Sequence, residues 1–195
     1  MNNSKNQLLQ FLQKTNHIHS AKALEIADHF NEKMLTKGDF QLRENQVCNE
    51  YLFLEQGYMR AFAYDVEGAD ITTDFYSAGQ MVFEVSSFFK RNASKENIQA
   101  LTDCCGWYIS YEQLNALFHG LPEFREFGRA VLVNGFASLK NRMLAMITAT
   151  AEERYSHLLN NNPDIFQYVP LKNIATFLGV TDTSLSRIRK QVAQK

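Results

Sequence analysis

The stretch LKNIATFLGVTDTSLSRIRKQV, residues 171–192, predicts two short helices joined by a tight turn. Ile174 and Leu178 are four residues apart, so both lie on one face of the first helix. Ala175, beside them, is small enough to let a second helix cross closely. Gly179 stands where the first helix must end, and glycine tolerates the positive φ that this ending needs. The spacing therefore predicts a helix-turn-helix.

The second helix of this unit separates an apolar face from a polar and basic one. Thr181 or Asp182 can begin it by capping its first backbone amides. Its inward positions recur every three or four residues and are Leu185, Ile188 and Val192. Its outward positions are Thr183, Ser184, Ser186, Arg187, Arg189 and Lys190. Such a face suits phosphate contacts and base reading in a DNA major groove. The alternative is an ordinary helical hairpin with a solvated charged face.

Charge is unevenly placed along the 195 residues, although the net charge is only −1. The last ten residues hold four basic side chains and no acidic one, so the positive end coincides with the second helix. We expect phosphate contacts from Arg189, Lys190 and Lys195. With a charge surplus this small, a single copy of the protein would bind DNA weakly, which favours a dimer.

The residue pattern changes over residues 38–111, where glycines separate short runs of β-branched and aromatic residues. These runs are Tyr51–Leu54, Tyr58–Tyr64, Ile71–Tyr76 and Trp107–Tyr111. They predict strands of a sandwich or jelly-roll barrel, with a hairpin turn at residues 64–68. Helical spacing is found over residues 5–35, again over residues 111–118, and from Pro122 to about Leu159. The predicted fold class is α+β.

Five apolar residues of the long helix are spaced four, three, four and three apart: Leu132, Phe136, Leu139, Met143 and Met146. This heptad seam can pack on the chain's own barrel or on a second copy, and we expect a homodimer. We divide the chain into a sensor barrel at residues 1–121, a dimerisation helix at 122–150 and a DNA-binding domain at 151–195. Residues 160–163, three asparagines and a proline, are expected to mark a joint.

The order of barrel, long helix and C-terminal helix-turn-helix resembles that of the Crp/Fnr transcription regulators. The resemblance extends over nearly the whole chain. Its matching segments are Lys37–Phe40, Glu55–Gly57, Gly79–Gln80 with Glu84, Ile98–Leu101, Ile174–Ala175, Leu178–Thr181 and Leu185–Arg189. The resemblance implies a jelly-roll barrel of cyclic-nucleotide-binding type that senses an effector or serves as a scaffold. It also implies that a homodimer reads double-stranded DNA, and that it contacts RNA polymerase if it activates transcription.

The resemblance breaks down at two places. Well-known relatives carry Arg and Glu where this chain has Asp182 and Thr183, and only Arg187 is retained, so the DNA target should differ. In relatives that bind cyclic nucleotides, an arginine and backbone amides hold the phosphate while a carboxylate accepts from the ribose. The corresponding effector pocket here would contain Glu84, Val85, Ser94 and Lys95.

In that pocket Glu84 matches the carboxylate, but Phe83 replaces a glycine that would allow a close backbone approach. Ser94 takes the arginine position and Lys95 the hydroxyl position, while Arg91 is out of register. We therefore expect no binding of a cyclic nucleotide and assign no cofactor.

Other sensor and enzyme chemistries find little support in the composition. Three cysteines are too few for the four ligands of an iron–sulfur sensor. The five histidines fall outside the predicted barrel strands, which argues against haem and against a cupin-type metal enzyme. No apolar run approaches the ~20 residues of a membrane span, and the N-terminus lacks the pattern of a secretory signal.

The sequence thus predicts a cytoplasmic DNA-binding regulator without enzymatic activity, metal or membrane partner. The alternative is a small-molecule sensor or interaction module whose helical end binds protein.

Overall fold

A computed structural model describes residues 5–194 of the chain. Helices α1 (Asn6–Gln13) and α2 (Ser20–Ala27) precede the strands. The strands are β1 (Asn31–Leu35), β2 (Phe40–Leu42), β3 (Glu50–Gln56), β4 (Met59–Tyr64), β5 (Asp70–Tyr76), β6 (Gln80–Val82), β7 (Asn97–Ala100) and β8 (Cys104–Ser110), with helix α3 (Val85–Lys90) between β6 and β7. The remaining helices are α4 (Tyr111–Gly120), α5 (Pro122–Thr148), α6 (Ala151–Asn161), α7 (Ile165–Tyr168), α8 (Leu171–Phe177) and α9 (Asp182–Val192).

The strands form two four-stranded antiparallel sheets, as the jelly-roll prediction requires. Their orders are β1-β8-β3-β6 and β2-β7-β4-β5. Among the strands of the described residues, only β4 and β5 are paired through a tight hairpin turn, in which the Gly68 N–H donates to the Asp65 carbonyl. The other pairings join segments far apart in the chain, such as β3 with β8. The α+β class and the barrel are confirmed.

The main core lies between the sheets and continues under α1, α2, α4 and the start of α5. Its largest side chains with almost no exposed surface include Phe53, Phe88, Phe124 and Phe127. A second core joins α6, α7, α8 and α9, and its buried members include Tyr155, Leu158, Ile174, Leu185 and Ile188. Leu101 of the barrel is buried in this second core, so the helical end packs directly on the barrel.

The helix prediction for residues 5–35 was wrong at both its middle and its end. Two short helices occupy residues 6–27, and Asn31–Leu35 forms the edge strand β1. Asn31 is paired with Tyr108 and Leu35 with Cys104 of β8. Because this partner lies about seventy residues away, the local spacing of apolar side chains gave no sign of it.

The long helix also ends earlier than predicted. It stops at Thr148, since Ala149 and Thr150 adopt extended backbone angles. Thr150 then begins α6 with a capping box, in which its hydroxyl accepts from the Glu153 N–H and the Glu153 carboxylate accepts from the Thr150 N–H. This break has a local signal, the Thr-x-x-Glu pattern. No helix within residues 5–194 is both long and apolar enough to cross a membrane.

Candidate DNA-binding unit and effector pocket

Helices α8 and α9 form the predicted helix-turn-helix. The first helix ends at a left-handed glycine, because Gly179 has a φ of +66°, and the Val180 N–H donates to the Ala175 carbonyl at 3.0 Å. Thr181 is the residue that caps α9, and its hydroxyl accepts from the Ser184 N–H at 3.2 Å. Of the two capping candidates, the threonine therefore takes this role.

The outward face of α9 is exposed except at one position. Thr183, Ser186, Arg187, Arg189 and Lys190 are exposed, while Ser184 is half-buried and its hydroxyl accepts from that of Thr181 at 3.0 Å. At 100° per residue, Thr183, Ser186, Arg187 and Lys190 share one stripe, and Arg189 lies to its side. Val192 packs on the second core as predicted. Lys195 lies outside the described residues.

The first helix of this unit is fastened to the barrel. The Thr72 N–H on β5 donates to the hydroxyl of Thr176 on α8 at 3.1 Å. The rings of Phe75 and Phe177 lie 4.9 Å apart between the same two elements. The helix-turn-helix is therefore a docked part of the molecule, with α8 against the barrel and the stripe of α9 exposed.

Arg154 on α6 links the helix-turn-helix to the end of the long helix. Its Nη1 donates to the Ala149 carbonyl at 2.7 Å, and its Nη2 and Nε donate to the Leu178 carbonyl at 2.9 and 3.3 Å. Both carbonyls stand at helix C-termini, where a cation is favoured. This clamp fixes the break at residues 149–150, and sequence reasoning did not identify it.

The predicted seam on α5 is exposed. The exposed fractions are 39% for Leu132, 72% for Phe136, 59% for Leu139, 47% for Met143 and 43% for Met146. Three further apolar side chains beside the seam are equally open: Val133, Leu144 and Ile147. The barrel of the same chain thus leaves an apolar stripe on α5 exposed. This stripe is wider than the five-residue seam predicted from the heptad spacing.

Two of the predicted pocket residues, Glu84 and Val85, form the N-terminal end of α3. Glu84 is the N-cap of α3, and its two carboxylate oxygens accept from the Ser86 and Ser87 N–H groups at 2.9 and 2.6 Å. Val85 follows and is 52% exposed. Phe83 packs against Tyr51 and Phe88, with ring centroids 4.5 and 5.7 Å away. The Phe83 ring thus occupies space next to the N-cap residue of α3.

The remaining pocket candidates do not form a cationic site together. Ser94 is buried, and its hydroxyl donates to the Glu96 carbonyl at 2.8 Å within a tight turn. Lys95 is exposed beside it. The Arg91 guanidinium donates to the Cys48 carbonyl at 2.8 Å and to Asn49, and stacks on Tyr111 at 4.1 Å.

Comparison with known proteins shows what this barrel is similar to. Residues 32–120 match the family model of the cyclic nucleotide-binding domain. Just under half of the chain, in the region of the barrel, is thus similar to that domain. A comparison with curated proteins finds no match, so solved structures supply the remaining relatives.

Three of those structures show the same fold as the chain. A regulator assigned to the Crp/Fnr family from Eubacterium rectale has a TM-score of 0.71 at 17% identity, over 93% of this chain and 87% of that one. FixK2 from Bradyrhizobium japonicum has a TM-score of 0.71 at 16% identity, over 85% of each chain. The c-di-GMP-responsive global regulator CLP from Xanthomonas campestris has a TM-score of 0.68 at 16% identity, over 88% and 90%. The resemblance to the Crp/Fnr regulators is confirmed at the level of the fold.

The barrel carries acidic groups near the cap of α3. Asp74 on β5, Glu84 and Glu96 form what we call the acidic cluster, because Asp74 and Glu84 both interact electrostatically with Glu96. Burial raises the pKa of the Glu96 carboxyl, and the negative neighbours raise it further. Since an anionic phosphate needs cationic partners, this arrangement does not fit a cyclic nucleotide.

Arg142 of α5 is the cation next to the acidic cluster. Its Nη1 lies 3.6 Å from an Asp74 carboxylate oxygen. Asp74 keeps 53% of its side-chain surface open, yet the protein packed around it raises the pKa of its carboxyl by desolvation, an effect that Arg142 opposes. Sequence reasoning missed Asp74, Glu96 and Arg142, because no local pattern indicates an ion pair between residues as distant as Asp74 and Arg142. Among residues 5–194, no group of histidine, cysteine or acidic side chains is arranged to hold a metal ion.

Proposed function

We propose that the protein is a homodimeric transcription regulator of Crp/Fnr type that binds DNA through α9. The observation that carries this proposal is the division of α9 into two faces. Leu185 and Ile188 are buried in the second core, so the helix is anchored on one side. The opposite stripe of small polar and basic side chains is exposed and free to enter a groove.

On the outward side of α9, each side chain has a distinct role. Arg187 stands at mid-helix, where its planar guanidinium can bind a guanine edge through two hydrogen bonds. Thr183 and Ser186 flank it and reach shorter distances. Arg189 and Lys190 lie in the last turn and contact phosphates, which position the helix without reading sequence. Ser184 acts mainly through the cap that it shares with Thr181.

The second copy is held by the exposed stripe of α5. Apolar patches of this extent mark interaction surfaces, and the heptad spacing suits a parallel pair of helices. A dimer presents two copies of α9 to two half-sites and doubles the phosphate contacts. We divide the functions accordingly, with the barrel at residues 1–121, dimerisation at 122–150 and DNA binding at 151–195.

We place the protein in the cytoplasm, in contact with RNA polymerase if it activates transcription. The barrel then serves as a scaffold or senses a molecule other than a cyclic nucleotide.

Selection of preferred sites from random double-stranded DNA tests the proposal. We expect the wild-type protein to enrich a two-fold symmetric site, and Arg187→Ala to lose the preference at one base per half-site, at a cost of ~1–3 kcal/mol. Arg125→Ala is the matched control, because Arg125 is an exposed arginine near the start of α5. No enrichment by the wild type, or an unchanged preference in Arg187→Ala, would contradict the proposal and favour a helical end that binds protein.

A further inference from the structure

A cavity of about 420 Å³ lies where the barrel meets the helical end of the chain. We call it the junction cavity. Its lining residues are Gly57, Tyr58, Thr102, Asp103, Asp164 and Tyr168. The first four belong to two barrel turns, which join β3 to β4 and β7 to β8, while the last two stand at the start and the end of α7. The volume of this cavity is in the range of small-molecule sites.

The barrel side of the junction cavity is fixed by hydrogen bonds. The Tyr58 N–H donates to the Thr102 hydroxyl at 2.9 Å, and the Tyr58 carbonyl accepts from the Leu101 N–H at 2.8 Å. One carboxylate oxygen of Asp103 accepts from the Lys37 N–H at 2.9 Å. The backbone of Tyr58 and the Asp103 carboxylate are therefore positioned before any ligand binds, which lowers the entropy cost of binding.

The helical side presents a second tyrosine and a second carboxylate. Ile165 and Val169 anchor this segment in the second core, and Tyr168 remains 48% exposed. Its ring stacks on that of Tyr58, with centroids 4.8 Å apart and planes inclined by 21°. Asp164 stands at the N-cap position of α7, but its side chain makes no capping hydrogen bond. The tyrosine pair thus joins the barrel to the helical end, and the helix does not use the carboxylate beside it.

The charge of the junction cavity is negative and unbalanced. None of its lining residues is basic. Within residues 5–194, neither carboxylate is in an ion pair. Asp103 accepts from a backbone N–H and Asp164 from the side-chain amide of Gln167. Burial and the charge of Asp164 raise the pKa of Tyr58, so its hydroxyl stays uncharged at neutral pH. This charge distribution favours a cation as the ligand.

The aromatic pair decides which kind of cation fits. The face of a tyrosine ring attracts a cation, and a nearby carboxylate adds Coulomb attraction. In the part of the chain that the structure describes, no group of side chains is arranged to hold a metal ion. An organic ammonium ion gains from both carboxylates and also packs its alkyl groups against the rings.

We propose that the junction cavity binds a small organic ammonium ion, which contacts the tyrosine pair and both carboxylates and thereby ties the helical end to the barrel. The proposal adds a ligand to the regulator proposed above. Its tests involve no DNA, so this proposal can fail while the DNA-binding function stands, and the reverse.

Calorimetry of the full chain with choline and with butylammonium tests the binding. Each ion is compared with an uncharged alcohol of the same size, at constant ionic strength adjusted with sodium chloride. We expect at least one of the two ions to bind saturably and neither alcohol to do so. Asp164→Asn keeps the shape of the side chain without its charge and should weaken binding about tenfold. Tyr168→Leu removes the aromatic face and should weaken it about fivefold.

Two variants outside the junction cavity are matched controls. Glu67→Gln and Tyr64→Leu change exposed residues of the hairpin between β4 and β5, and both should bind as the wild type does. Circular dichroism shows that each variant folds. The proposal is overturned if neither ion binds saturably, if an alcohol binds as tightly as its ion, or if Asp164→Asn or Tyr168→Leu retains the wild-type affinity.

The Thr72 amide tests whether the ligand ties the helical end to the barrel. Its N–H on β5 donates to Thr176 of α8. Since α7 and α8 share the second core, undocking of the helical end would break both this hydrogen bond and the cavity. A ligand that binds only the docked state should raise the hydrogen-exchange protection of this amide about tenfold at a concentration about ten times its dissociation constant. Binding that leaves this protection unchanged would overturn the bridging role.

Discussion

Leu139→Asp places a charge at the centre of the exposed stripe on α5. In the monomer 59% of the Leu139 side chain is exposed. Full burial of a leucine contributes ~1.5–3 kcal/mol, so completing that burial in a dimer contributes ~1–2 kcal/mol per copy. A symmetric dimer carries the substitution twice and brings two carboxylates to the same level of the seam, where each is desolvated. We expect a loss of at least ~4 kcal/mol, or about a thousandfold in the dimer dissociation constant.

Sedimentation equilibrium over a concentration series measures this constant directly. Asn141→Asp is the matched control, because position 141 is exposed and lies opposite the seam in the heptad, so the same charge there should leave the dimer intact. Far-ultraviolet circular dichroism shows whether each variant folds. A wild-type monomer at micromolar concentration, or a Leu139→Asp variant that remains as dimeric as Asn141→Asp, would refute the assignment of this stripe to self-association.

Three further outcomes follow from the contacts described above. Millimolar cyclic AMP should give no saturable heat in calorimetry, because Ser94 is buried and Arg91 is engaged with Cys48; a saturable isotherm lost in Glu84→Ala would show otherwise. Arg154→Ala should lower the free energy of unfolding by ~2 kcal/mol in denaturant titrations, because it removes charge-assisted hydrogen bonds to two carbonyls, whereas Arg125→Ala should not. Lys190→Ala should weaken binding to all DNA sequences and reduce the slope of log K against log salt by about one; a slope equal to that of the wild type would remove Lys190 from the phosphate contacts.

The pocket shows that a residue matched by a resemblance in sequence can also have a local structural role. Glu84 matches the carboxylate of nucleotide-binding relatives, yet both of its oxygens accept from backbone N–H groups of α3. Its position before a short helix is a local capping signal that could have been read from the sequence. The turn that buries Ser94 could not, because its N–H donates to the Gln46 carbonyl nearly fifty residues away.

The amino-acid sequence by itself determined the helix-turn-helix, the four longer strands and the apolar seam. Their signals are local: a glycine with positive φ, a capping threonine, and apolar side chains spaced by the period of a helix or a strand. Only the tertiary structure decided that Asn31–Leu35 is a strand, that α8 is docked on β5, and that Asp74 and Arg142 form an ion pair. These arrangements depend on partners tens of residues away, and side-chain periodicity within one segment carries no information about such a partner.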